Sequence, residues 1–77
     1  MSGGLPAANA RQVMRALERA GFSIVRTSGS HHLFVHRADP TRRVTVPFHG
    51  NKDLPRGLLR AIIRQAGLSV DEFNALL

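Results

Sequence analysis

Apolar residues recur at helical spacing through Val13, Leu17 and Ala20, switch to a period of two from Phe22, and return to helical spacing from Leu58. Asn9 is a suitable N-cap for the first helix, Gln12 stands at the third helical position of a capping box, and Gly21 is a C-terminal stop. Arg11, Arg15 and Arg19 fall on the opposite side of that helix. In the first strand Phe22 and Ile24 share one face and Val25 the other, up to a turn at Thr27-Ser28-Gly29-Ser30. A second strand spans His31 to His36, a polar loop with Asp39-Pro40 follows, and a third strand covers Arg43 to Pro47.

Pro47 and the stretch from Gly50 to Asp53 break the extended pattern before a second long helix, capped by Asp53 or Leu54, with Pro55 in its first turn. Leu58, Leu59, Ile62, Ile63 and Ala66 form its apolar stripe, and Gly67 stops it. Ser69 with Glu72 makes a second capping box that opens a short terminal helix, from which Val70, Phe73 and Leu76 or Leu77 can dock back. Three sequential strands with short links predict an antiparallel meander covered on one face by both long helices, an α+β fold of two layers. Residues 1–8, with Gly3-Gly4 and Pro6 and no periodicity, read as a flexible leader, and residues 9–77 as a single domain.

Composition narrows what this fold can do. The 77 residues contain no Trp, no Tyr and four Phe, so a mainly aliphatic core is expected. The absence of cysteine excludes disulfides, thiolate metal ligands and cysteine nucleophiles. No stretch reads as a signal peptide or a membrane span, and a cytoplasmic location without membrane association is expected. Eleven Lys and Arg against five Asp and Glu give a net charge of +6, and all the cations but Lys52 are arginines. Arginine meets phosphate with a planar fork, so this bias favours a polyanion as partner.

Three of the four histidines lie in the second strand, where alternation sets His31, Leu33 and Val35 on one face and His32, Phe34 and His36 on the other. Parity alone leaves open which set faces the helices. A metal site is disfavoured, because residues four apart on a strand are separated by roughly 13 Å at about 3.3 Å per residue and neighbours point oppositely. No metal or other cofactor is expected. Ser30 beside His31 has no nucleophile elbow and no orienting acid, and paired carboxylates are lacking. Metal-free RNA scission fits what remains, because RNA supplies its own 2′-hydroxyl nucleophile; one imidazole moves a proton and arginines stabilise the phosphate.

Arg56, Arg60 and Arg64 are spaced by four opposite the apolar stripe of the second long helix, and Lys52 stands just before its N-terminus. Arg11, Arg15 and Arg19 have the same spacing, so one of the two tracks can be a plain solvated face. The second is taken as functional because Lys52, the Gly50-Asn51 loop and the helix dipole would act on one phosphate.

Gly29-Ser30-His31-His32 with Phe34, then Val46-Pro47-Phe48-His49, Lys52-Asp53-Leu54-Pro55-Arg56-Gly57 and Ile63-Arg64-Gln65-Ala66-Gly67-Leu68, together resemble the HicA family of toxin mRNA interferases, in the family's order from about Asn9 to Leu68. The resemblance implies a fold similar to a double-stranded RNA-binding domain, endoribonuclease cleavage of mRNA, and neutralisation by a HicB antitoxin that covers the catalytic surface. It implies that the histidine after Gly-Ser, His31, is catalytic, with His32 the alternative. Lys52, Arg56 and Arg60, together with Arg26 and Arg43, make up the expected RNA-binding set. If His31 is catalytic, Leu33 and Val35 share its face and are the expected antitoxin contacts. A non-catalytic RNA-binding module of the same fold is the alternative function.

Overall fold

A computed structural model describes residues 4–77; the first three residues of the expected leader lie outside the described residues. The first helix, α1 (Ala10–Arg19), is nucleated by its capping box: Gln12 N–H donates to Asn9 Oδ1 and Asn9 N–H to Gln12 Oε1, both at 2.9 Å. Its stripe of Ala10, Val13, Ala16 and Leu17 is buried, while Arg11, Arg15 and Arg19 stay exposed. The chain leaves α1 through Gly21 at a φ of 103°, a conformation that favours glycine, and a Cβ there would press at 3.0 Å on His36 Nε2.

Strands β1 (Phe22–Ser28), β2 (His31–His36) and β3 (Arg43–Pro47) form an antiparallel meander in the order β1-β2-β3. Ser28 pairs with His31 across the two-residue Gly29-Ser30 turn, with Gly29 at a φ of 58°. Phe34, Val44 and Val46 are buried and His31, Leu33 and Val35 are not, which resolves the parity question: the helices cover the face of His32, Phe34 and His36. β1 departs from plain alternation. Ile24 pairs with Phe34 and Arg26 with Leu33, leaving Val25 as the extra residue of a β-bulge, 58% exposed.

The helix α2 (Arg56–Gln65) has Pro55 as N-cap in place of the expected Asp53 or Leu54, and no side-chain cap. Asp53, the expected cap, lies in a β-bridge with Asn9, and Leu54 N–H donates to Ala8 C=O at 2.8 Å. This clip joins the N-termini of the two long helices and buries Ala8 fully. Arg42 reaches across from the β2–β3 loop and donates from Nε (2.9 Å) and Nη2 (2.6 Å) to Ala66 C=O, placing a cation at the negative end of α2. The last helix, α3 (Val70–Leu76), starts at the Ser69/Glu72 capping box and buries Phe73. Arg19 Nη1 donates to Leu76 C=O at 2.7 Å and ties it to α1.

The core is aliphatic in number, but Phe22, Phe34 and Phe73 are its largest fully enclosed side chains, so three of the four aromatics anchor it. Helix, three-stranded antiparallel sheet, helix and short C-terminal helix form the α+β layout expected of the chain. Among the described residues no helix is long and apolar enough to cross a membrane.

Candidate active site

The uncovered face of the sheet carries a shallow cleft of about 190 Å³ lined by Arg26, Ser28, His31, Leu33 and Thr45. His31 comes from the first position of β2, opposite Ser28 on β1 and Pro47 on β3. Its imidazole is exposed. Arg26 joins it because of the bulge: simple alternation from Phe22 would turn Arg26 toward the helices, and the extra residue at Val25 re-aims it onto the row of Leu33. Arg43 pairs with Val35 and so lies on the same face, two rows farther from His31. Leu33 and Val35, half-buried, form an apolar strip between these cations. The cleft therefore combines one imidazole, one guanidinium, hydroxyls and an apolar wall, a set able to move a proton beside a bound anion.

The other side of the sheet holds a different arrangement. His32 and Phe34 lie in a groove of about 340 Å³ with Arg11, Met14, Arg15 and Glu18 of α1 and Ile24 of β1. The His32 ring is 6.0 Å from the Phe48 ring, and the Arg11 guanidinium sits 5.8 Å over Phe48. His32 Nδ1 is buried with no hydrogen-bond partner among the described residues.

Lys52, Arg56 and Arg60 are exposed, and none of them lines the His31 cleft. Lys52 lines a cavity of about 530 Å³ with His49, Asp53, Leu54 and Pro55. Arg60 lines another, with Arg64, Ile63, Leu68, Ser69 and Val70. Arg56 borders neither. Arg26 and Arg43 thus lie on the open sheet face, while Arg56 and Arg60 are exposed on α2 and Lys52 on the loop before it.

His36 is committed to structure. Its Nδ1 accepts N–H bonds from Ala38 (3.1 Å) and Asp39 (3.2 Å), so Nε2 is the donor to Ala20 C=O at 3.2 Å. Phe22 meets the ring edge-on at 5.0 Å. Nearby, the Thr41 hydroxyl and then its backbone N–H bond to Asp39 and hold that carboxyl below its ordinary value. Among the described residues no three His, Asp or Glu side chains are grouped so as to hold a metal ion.

Sequence reasoning grouped His31 with Leu33 and Val35 but did not foresee that Arg26 is their neighbour. The spacing of Arg11 and Arg15 along one helix face is visible in the chain, but their meeting with His32 and Phe48 is a tertiary contact that spacing does not reveal. Residues 10–68 match the family described as the HicA toxin of bacterial toxin-antitoxin. The chain belongs to the HicA toxin family. The match spans most of the 77 residues, from the start of α1 to Leu68, and includes both histidine-bearing surfaces. Membership in a toxin-antitoxin family implies an antitoxin partner for this HicA-family chain. No curated protein matches it.

Proposed function

We propose that this HicA-family toxin is a metal-independent endoribonuclease, an mRNA interferase acting in the cytoplasm, and that His31 is its proton-transfer group. The observation that carries the reading is the shared cleft of His31 and Arg26 on the one sheet face that no helix covers. His31 removes the 2′-hydroxyl proton of a bound ribonucleotide, and O2′ attacks the adjacent phosphorus as the bond to the 5′-oxygen breaks. That leaving oxygen takes up a proton from the imidazolium so formed, leaving a 2′,3′-cyclic phosphate and a 5′-hydroxyl. Arg26 stabilises the charge gathering on the phosphate, and Arg43 guides the neighbouring backbone. Lys52, Arg56 and Arg60 supply longer-range attraction for the polyanion. A HicB antitoxin neutralises the toxin by covering the open face, with Leu33 and Val35 as its apolar contacts flanked by cations.

His32 is the second candidate for the proton-transfer role, favoured by its unpartnered Nδ1. Purified protein incubated with single-stranded RNA in EDTA decides between them. Cleavage that persists in EDTA, vanishes in His31→Ala and survives in His32→Ala is expected. Loss in His32→Ala alone moves the chemistry to the other face, and RNA binding without any cleavage by the wild type leaves a non-catalytic binding module.

A further inference from the structure

The groove between α1 and the helix-covered face of the sheet has features that packing alone does not explain. A buried ring nitrogen with no partner forfeits hydrogen-bonding free energy that folded proteins rarely give up. His32 Nδ1 is the one such side-chain atom among the described residues. The ring does not pack face to face with Phe48 but stands tilted at 57° beside it. Phe48 in turn is half-buried and carries the Arg11 guanidinium over its face. Arg15, one helical turn on, faces the same groove. Arg19, next in the series, is occupied with the Leu76 carbonyl and takes no part.

We propose that this groove binds one nucleotide of single-stranded RNA on the side of the sheet opposite the His31 cleft, which makes Arg11, Arg15 and His32 substrate-positioning residues, with Phe48 beside the groove against His32 and Arg11. The inference rests on the RNA-cleaving reading and adds a second contact site to it. A volume of about 340 Å³ lies at the lower end of the range of small-ligand sites. Two guanidiniums in the groove, with the Phe48 ring adjoining it under Arg11, are the combination that single-stranded nucleic acid meets elsewhere, through phosphate contacts and base stacking. Glu18 lines the same groove and repels phosphate, so the RNA backbone runs at the Arg11–Arg15 end and the base lies toward His32. His31 and His32 are consecutive and point to opposite faces beside the Gly29-Ser30 turn. A strand passing over this hairpin end reaches both sites, so the groove would hold the RNA while the phosphate several atoms away enters the cleft.

The test uses a twelve-nucleotide 2′-O-methyl RNA, which lacks the nucleophilic hydroxyl, followed by fluorescence anisotropy across a salt series. Arg11→Ala/Arg15→Ala is expected to weaken binding tenfold or more and to reduce the slope of log affinity against log salt by about 1.4, the loss of two phosphate contacts. Phe48→Leu is expected to weaken binding about fivefold or more with the salt slope unchanged. In the wild type, the His32 ring nitrogen resonances should shift on RNA addition while those of His36 do not. Wild-type affinity in both groove variants, with RNA binding otherwise intact, overturns the groove and leaves the RNA-cleaving reading standing. Groove variants that lose antitoxin but keep RNA assign the groove to the protein partner and also overturn it. A wild type that neither binds this RNA nor cleaves its unmodified counterpart overturns both.

Discussion

Arg26 offers the sharpest test of the open-face cleft, because only the bulge at Val25 brings it there. Arg26 stands opposite Leu33 and His31 opposite Ser28, all on one face, so Arg26 and His31 are diagonal cross-strand neighbours with Cβ atoms about 7 Å apart. An arginine side chain spans that gap and can place its fork on a phosphate that the imidazole also touches. Losing one donor to developing charge costs about 10² to 10³ in rate at a closed site, and this cleft is shallow and solvated, so the low end applies. Arg26→Ala is therefore expected to lower kcat/KM about a hundredfold, or ~2.7 kcal/mol of transition-state stabilisation.

The comparison variants give that figure its meaning. Arg43 faces Val35, four residues along β2 from His31, or roughly 13 Å, which exceeds the screening length of about 8 Å in physiological salt. Arg43→Ala should change kcat/KM no more than about fivefold, mostly through salt-dependent binding, and Arg56→Ala on the helical side should behave the same way. Arg26→Lys should recover part of the loss, since charge returns without the fork. The assay is initial cleavage of a fluorophore-quencher RNA below saturation, with thermal melts to show that each variant folds. An Arg26→Ala enzyme within threefold of wild type, alongside an Arg56→Ala enzyme reduced a hundredfold, would refute the open-face cleft and return the chemistry to the helical side.

Leu33→Thr with Val35→Thr keeps the strand propensity while removing apolar contact area, so melting should change little and affinity for the antitoxin should fall about tenfold or more by calorimetric titration; an unchanged Kd removes this strip from the antitoxin interface. At the acid end, Glu72 is held below its ordinary value of 4.5 by the Ser69 backbone N–H and then the Ser69 hydroxyl, and Asp39 below 3.8 by the Thr41 hydroxyl and then its N–H. Both carboxyls thus contribute stability that is full above those ordinary values and disappears as pH falls through the lowered folded ones. Melting temperature should drop below about pH 4.5, and Asp39→Asn/Glu72→Gln should flatten that drop; an identical pH profile in the double variant would show that these turns carry no linked protons.

The parts of the fold legible in the chain are those whose causes are local. Both capping boxes form as read, because each is a pair three residues apart whose partners meet as soon as one helical turn exists. Strand parity divided the β2 histidines correctly for the same reason, and the burial of Phe34 then fixed which half faces water. The parts not legible depend on partners distant in sequence. Asp53 pairs with Asn9 in place of capping α2, Arg42 reaches Ala66 from another loop, and His36 is held by the backbone of the α1 exit.

The bulge belongs to this second group, and it matters most for function. Nothing in Phe22-Ser-Ile-Val-Arg-Thr-Ser marks where the extra residue falls, since β-branched and polar residues suit either register. Yet its position decides which face receives Arg26, and with it whether His31 has a cation beside it. The basic track on α2 was the more visible sequence feature because its period is regular, but regular spacing identifies a helix face and not a meeting point. The residues that gather around each histidine, Arg26 on one side of the sheet and Arg11 and Arg15 on the other, come from neighbouring elements whose alignment is set by a one-residue irregularity and by a clip between two helix N-termini. Under the proposed RNA-cleaving reading, a change in either is therefore expected to act on RNA handling without substituting any group assigned to RNA contact.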